Sequence, residues 1–297
     1  MIDLWYPTEP SLPEGRHEYG LGVGWVVAES PAVDVVCPPV VLSHGAFGSA
    51  RAYAWIAEPL ARAGYVVCGV SHFGESPVFG ADTIDPLAVL DLDPRVSDCT
   101  FALDRLSAGS ISGPRVRPAV VGALGHSSGG ATAIALAGGV FDPVAMARYC
   151  ASQEALGDRG CDYGRGADLP QSVAPRSRHD PRVRVVVALD PALGPGFTTT
   201  SLAGISVPVH VVGAVDNDFL PIEAHAVRYA RLIPGSSFMR LTGGEGHFVY
   251  LNECTADLVA NGVPLCRDRS GVNRGAVHTF LAPVIVRAFD AALIPIT

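Results

Sequence analysis

Gly125-His126-Ser127-Ser128-Gly129-Gly130 is the stretch on which the reading of this chain turns. A short apolar run opened by a proline precedes it, Pro118-Ala119-Val120-Val121-Gly122-Ala123-Leu124. A helix-forming run follows it, Ala131-Thr132-Ala133-Ile134-Ala135-Leu136-Ala137, and ends at Gly138-Gly139. The spacing predicts a strand, a sharp turn and a helix, with G-x-S-x-G at the turn. Such a turn strains the serine backbone and lifts its Oγ above the sheet edge. Gly125 and Gly129 lack the Cβ atoms that would collide there, and Gly130 lets the helix pack close to its strand. Small residues recur by chance in a chain with 33 glycines. The flanking strand and helix therefore carry the reading, and they make Ser127 the candidate nucleophile.

The surroundings repeat the same rhythm. Upstream, Val40-Val41-Leu42 reads as a buried strand, 50–63 as a helix stopped by Gly64, Tyr65-Val66-Val67-Cys68-Gly69-Val70 as a second strand, and 98–106 as a helix. Strand and helix alternate from 40 to 139, which implies βαβ units and a mostly parallel sheet. Leu4-Trp5-Tyr6 and Val23-Gly24-Trp25-Val26-Val27 look like early strands of that sheet. Downstream, strands are expected at 183–189, 207–212 and 237–241, a helix at 221–232, and a closing helix at 276–293 interrupted or kinked at Pro283. Residues 142–180 break the rhythm and read as a lid-like or surface insertion after the nucleophile helix. A second excursion covers 251–273. The expectation is a single α/β domain over residues 1–297.

The 297 residues are 48% hydrophobic and 17% charged, with a net charge of -8. That composition suits a large buried sheet. The basic residues are scattered, which argues against nucleic acid as a partner. No apolar run approaches the ~18 residues of a membrane span. The N-terminus lacks a basic region followed by an apolar core, so as written the chain reads as cytoplasmic, and as secreted if the N-terminus is incomplete. Of seven cysteines, Cys37, Cys68 and Cys99 read as small core residues. Cys150 with Cys161, and Cys254 with Cys266, flank polar loops that a disulfide could close in an oxidising compartment. No cysteine or histidine cluster has metal-ligand spacing, so no metal and no cofactor is expected.

A serine hydroxyl needs a base, an orienter for that base, and donors for the oxyanion that forms. In elbow-bearing sheets they follow the order serine, acid, histidine. His247, between Gly246 and Phe248, is the candidate base. Of the nine histidines, His225 and His278 also follow both candidate acids, but they fall in predicted helices. His44 and His72 end early strands, and His126 is the variable position of the elbow. Asp216 is the first-choice acid and Asp190, which ends the preceding strand, is the alternative. Asp218 comes third. The N–H groups of Ser128 and Ala46 are the expected oxyanion donors, with Phe47 second to Ala46. Phe47 and Trp55 are candidates for an apolar pocket wall and, equally, for core.

Together these segments resemble an α/β-hydrolase of the dienelactone-hydrolase-like and platelet-activating-factor-acetylhydrolase-like group. The resemblance rests on Leu4-Trp5-Tyr6-Pro7, Ser43-His44-Gly45 with Tyr53 downstream, the elbow through Thr132, Ala192-Leu193-Gly194-Pro195, and Gly246-His247-Phe248. Bacterial cutinase-like polyester hydrolases are similar more weakly. The resemblance implies the α/β-hydrolase fold, a mostly parallel central sheet flanked by helices, and serine hydrolysis of a small-molecule or polymeric carboxylic ester. Amide or thioester hydrolysis, or acyl transfer, on the same residues is the alternative, and a non-catalytic binding protein the last. Dienelactone hydrolases proper carry cysteine where Ser127 stands. In the acetylhydrolases the acid stands where Asp190 is, and in most dienelactone-hydrolase-like relatives where Asp216 is. An ungapped match counted back from Pro221 puts Asn217 at that second position.

Overall fold

Strands that read as continuous apolar runs are buried on both faces, which requires helices on either side of the sheet. The computed structural model describes residues 1–9, 11–111, 113–164, 175–260 and 262–294. In chain order its main strands are β1 (Ile2–Trp5), β2 (Gly15–Glu18), β3 (Val23–Val26), β4 (Pro39–Ser43), β5 (Val66–Val70), β6 (Val121–His126), β7 (Val183–Leu189), β8 (Val209–Ala214) and β9 (Ser237–Leu241). Seven of them form one sheet in the order β1-β5-β4-β6-β7-β8-β9. Only β1, at the edge, runs antiparallel, pairing Leu4 with Cys68. The other neighbours are parallel, with Val41 opposite both Cys68 and Ala123. This is the expected mostly parallel α/β-hydrolase sheet. The second early strand departs from expectation, since β3 pairs with β2 in a separate hairpin.

The helices are α1 (Ala54–Arg62), α2 (Leu92–Ser107), α3 (Ser128–Leu136), α4 (Pro143–Cys150), α5 (Thr199–Ala203), α6 (Ala226–Leu232) and α7 (Arg274–Leu293). Alternate strand residues face opposite sides. Val41, Cys68, Ala123 and Val186 pack with side chains of α2, α3 and α6. Val40, Leu42, Val67, Leu124 and Val187 pack with those of α1 and α7. A register irregularity at Val121/Gly122 shifts this alternation by one position in β7, where Val183 and Val186 share a face.

Several boundaries differ from the sequence reading. Helix α2 starts six residues earlier than 98, because Asp91 caps it by accepting from the Asp93 N–H. Helix α6 starts at Ala226 rather than at 221. Helix α7 runs through Pro283, with Leu281, Ile285 and Phe289 buried on either side of it. By length and composition alone α7 could cross a membrane, and in the fold these residues pack on the sheet. The 142–180 stretch is less irregular than expected, since α4 is capped by Asp142 and led by Pro143. Residues 165–174 of it lie outside the described residues. Cys150–Cys161 and Cys254–Cys266 are both disulfide-bonded, and Cys37, Cys68 and Cys99 are buried free thiols.

Helices α1 and α7 share the apolar core on that face, and one imidazole adds a specific contact between them. His278 stacks on Trp55, centroids 4.1 Å apart at 9°, and its Nε2–H donates to the Val249 carbonyl at 2.8 Å. Trp55 is thus core and not pocket wall, and its Nε1–H donates to the Tyr250 carbonyl. Burial lowers the His278 pKa from 6.5 to about 4. Below pH 6.5 the unfolded chain binds a proton that the fold refuses, so this stabilisation is present above 6.5 and is lost as pH falls toward 4. The expected loss is about 3 kcal/mol by pH 4. Urea titrations between pH 7 and 4.5 check this. His278→Gln should be less stable at pH 7 and show a flatter pH dependence, and an unchanged slope would refute the assignment.

Candidate active site

The C-terminal ends of the parallel strands are where side chains of different loops converge. β6 ends in the elbow, and Ser127 there has φ 56° and ψ -122°. Few residues other than glycine adopt such a backbone, and it costs about 1–3 kcal/mol. The turn is locked on both sides. The Ser127 N–H donates to the Leu189 carbonyl, and the Ser127 carbonyl accepts from the Ala192 N–H, each at 3.0 Å. A Cβ on Gly125 would lie 2.1 Å from the Gly129 carbonyl oxygen, and one on Gly129 only 1.9 Å from that of Ser43. The two glycines thus bring helix α3 against β4 as well as against its own strand.

His247 opens a short 3-10 turn after β9. Its Nε2 lies 3.0 Å from Ser127 Oγ, and its Nδ1 lies 2.7 Å from Asp190 Oδ2. A carboxylate accepts, so Nδ1 carries the proton and Nε2 is free to take one from the serine. Ser127, His247 and Asp190 are all buried. Two more donors reach Asp190, the Ala214 N–H at 3.3 Å and the Asn217 side-chain amide at 2.5 Å.

The acid against His247 is thus the alternative and not the first choice. Asp216 is exposed, and its backbone carbonyl accepts from Arg269. It stands one residue short of the position that reaches the site. Asn217 occupies that position and bonds the Asp190 carboxylate. Asp218 has a separate task, accepting the His247 backbone N–H at 2.9 Å.

Ser128 is the first residue of α3, so its N–H is among the helix's unsatisfied donors. Ala46 lies in the loop after β4, and both Ala46 and Ser128 line the same small pocket as Ser127. The pocket's other walls include Val89, Met146, Tyr163, Phe219 and Leu220. Its volume is about 20 Å³, room for about one water. Phe47 does not line it, but packs its ring on Tyr163 with centroids 5.0 Å apart. Phe219 stacks on His247, centroids 5.2 Å apart at 13°, and carries the Arg159 guanidinium on its ring.

The sequence reading missed a buried charge beneath the Ala46 loop. Arg95 of α2 is fully buried, and its Nη1 donates to the His44 carbonyl at 2.7 Å and to Ser43 Oγ at 3.3 Å. Its other nitrogens grip Glu75 at 2.6 and 2.5 Å. Ser43 Oγ also meets His72 Nε2 at 2.9 Å, and His72 Nδ1 meets Asp98 at 3.0 Å. Burial, with the Arg95 charge next, holds His44 and His72 well below the usual histidine pKa. Arg95 falls on the apolar stripe Leu92, Val96, Cys99, Leu103 of its helix, and a charge at that spacing is the signal that could have exposed it. Among the described residues no group of three or more His, Cys, Asp or Glu is placed to hold a metal ion.

No family description matches this chain, and neither does any curated protein. Among solved structures it is similar to a ferulic acid esterase from Streptomyces cinnamoneus, with a TM-score of 0.63 and 22% identity. The match covers 98% of this chain and 82% of that one. A likeness at that identity speaks to architecture, and with the strand order above it gives the chain the α/β-hydrolase fold.

Proposed function

We propose that this protein is a serine hydrolase that cleaves small-molecule carboxylic esters through an acyl-enzyme. The observation that carries the reading is the Ser127 Oγ to His247 Nε2 contact at 3.0 Å, with Asp190 behind it at 2.7 Å. In this reading His247 takes the proton from Ser127 as Oγ attacks the ester carbonyl. Asp190 keeps the imidazole in the right tautomer and stabilises the imidazolium. The Ala46 and Ser128 N–H groups hold the oxyanion. The alcohol leaves with the proton from His247, and water activated by the same residue frees the acid. The apolar and aromatic walls at Val89, Met146, Tyr163 and Phe219 suit an apolar acyl or alcohol group. The esterase named among the similar structures supports an ester as substrate.

The test pairs turnover with titration. Wild type should hydrolyse p-nitrophenyl butyrate, and a fluorophosphonate should abolish that activity at one equivalent, with the adduct mapped to Ser127. A folded protein inert on acetate, butyrate and octanoate esters sinks the ester reading. Amide or thioester hydrolysis, or acyl transfer to an added amine, would then be measured in its place.

A further inference from the structure

His126 fills the position of the elbow that the motif leaves free, yet its ring is buried and every polar atom has a partner. Its Nε2 lies 3.0 Å from the backbone oxygen of His247. A carbonyl can only accept, so Nε2 carries the hydrogen. Burial holds the His126 pKa far below the usual range, so the ring is neutral and Nδ1 must accept. The donor is the Tyr53 hydroxyl at 2.9 Å. The Tyr53 oxygen in turn accepts the Gly45 N–H at 3.0 Å. The chain of bonds therefore has one direction only: Gly45 N–H to Tyr53, Tyr53 O–H to His126 Nδ1, His126 Nε2–H to the His247 carbonyl.

Each end of this chain sits beside a candidate catalytic group. Gly45 precedes Ala46, His126 precedes Ser127, and the accepting carbonyl belongs to His247 itself. The partners are 73 and 121 residues apart in sequence. A second observation points the same way. A Cβ on Gly45 would lie 3.2 Å from the Ser127 Cβ and 3.3 Å from both His126 Nδ1 and the Tyr53 oxygen, so the loop is seated directly on the elbow.

We infer that His126 and Tyr53 are positioning residues, which hold the Ala46 loop and the His247 loop in register with the elbow. The inference rests on the esterase reading for its kinetic consequence, but not for its structural one. Neither side chain lines the pocket at Ser127, so both act through the groups they hold.

The experiment uses Tyr53→Phe, His126→Gln and the double variant. Gln places its amide near the Nε2 position, which preserves the link to His247 and removes the acceptor for Tyr53. All three variants therefore break the same Tyr53–His126 link. For each single variant kcat on p-nitrophenyl butyrate should fall about 10- to 100-fold. KM should stay within about twofold, and affinity for an alkylboronic acid should fall in parallel with kcat/KM. The double variant should be no slower than the slower single, because the coupling is shared. Folded singles with wild-type kcat, or losses that multiply in the double, overturn the inference.

Hydrogen exchange of peptides spanning 43–48 and 245–250 supplies a readout that needs no turnover. Protection in both segments should fall together in Tyr53→Phe, and in His126→Gln should Tyr53→Phe not fold. Exchange that is unchanged, or that changes in one loop alone, overturns the coupling. If wild type hydrolyses no ester, the esterase reading fails by itself and exchange still decides this one.

Discussion

Asp190→Asn is expected to lower kcat/KM on p-nitrophenyl butyrate by about 10,000-fold, while Asp216→Asn leaves it within about twofold. The first substitution keeps the shape of the side chain and changes what it offers. Asp190 accepts from His247 Nδ1, Asn217 and the Ala214 N–H at once. Oδ2 faces both Nδ1 and Asn217 and Oδ1 faces the Ala214 N–H, so an amide must set its NH2 against a donor at one of the two places, and it carries no charge to stabilise the imidazolium. With the NH2 at the Oδ2 place, the tautomer with its proton on Nε2 is favoured, which cannot take one from Ser127. Asp216 lies outside this network, exposed to solvent, and removing its charge moves nothing near the serine. Steady-state kinetics on the two variants side by side decides between them. A large loss from Asp216→Asn with activity retained in Asp190→Asn would reverse the assignment.

Ser127→Ala is expected to cost still more, about 10⁵- to 10⁶-fold in kcat, because nucleophile and base work as one unit. The instructive comparison is with Ser127→Gly, which is equally inactive. Both lose the hydroxyl, but only glycine is at ease at φ 56°, ψ -122°. Glycine relieves about 1–3 kcal/mol of backbone strain and returns up to about 1 kcal/mol as chain entropy. The glycine variant should therefore be the more stable of the two by about 1 kcal/mol. Denaturant titration measures the difference. Equal midpoints would mean that the elbow stores no strain.

The elements legible in the sequence are those written in local periods. The elbow was readable because a strand, three glycines and a helix lie within some twenty consecutive residues. His247 was readable because glycines precede it just after a predicted strand. The acid was harder. β7 and β8 each end in a loop bearing an aspartate, and which carboxylate reaches the imidazole depends on how the chain turns after the strand. Asp190 turns with φ 43°, which no side-chain pattern announces. Counting back from Pro221 found the place where a group approaches the site, but Asn217 holds that place and supports Asp190 instead. The link between Tyr53 and His126 was invisible for another reason. Their bond spans 73 residues, and sequence spacing has no period that long. Strand β3 was misplaced into the main sheet because alternation predicts a strand without naming its neighbour.

The pocket beside Ser127 that the described residues enclose has room for about one water. If binding there requires the walls at Tyr163, Met146 or Val89 to part, a substrate meets only the fraction of molecules in which they have. The apparent dissociation constant is the intrinsic one divided by that fraction, so a protein open one part in a hundred binds about a hundredfold more weakly than its open form. A substitution that trims the wall would then tighten binding without adding a single contact, by raising the population that can bind at all.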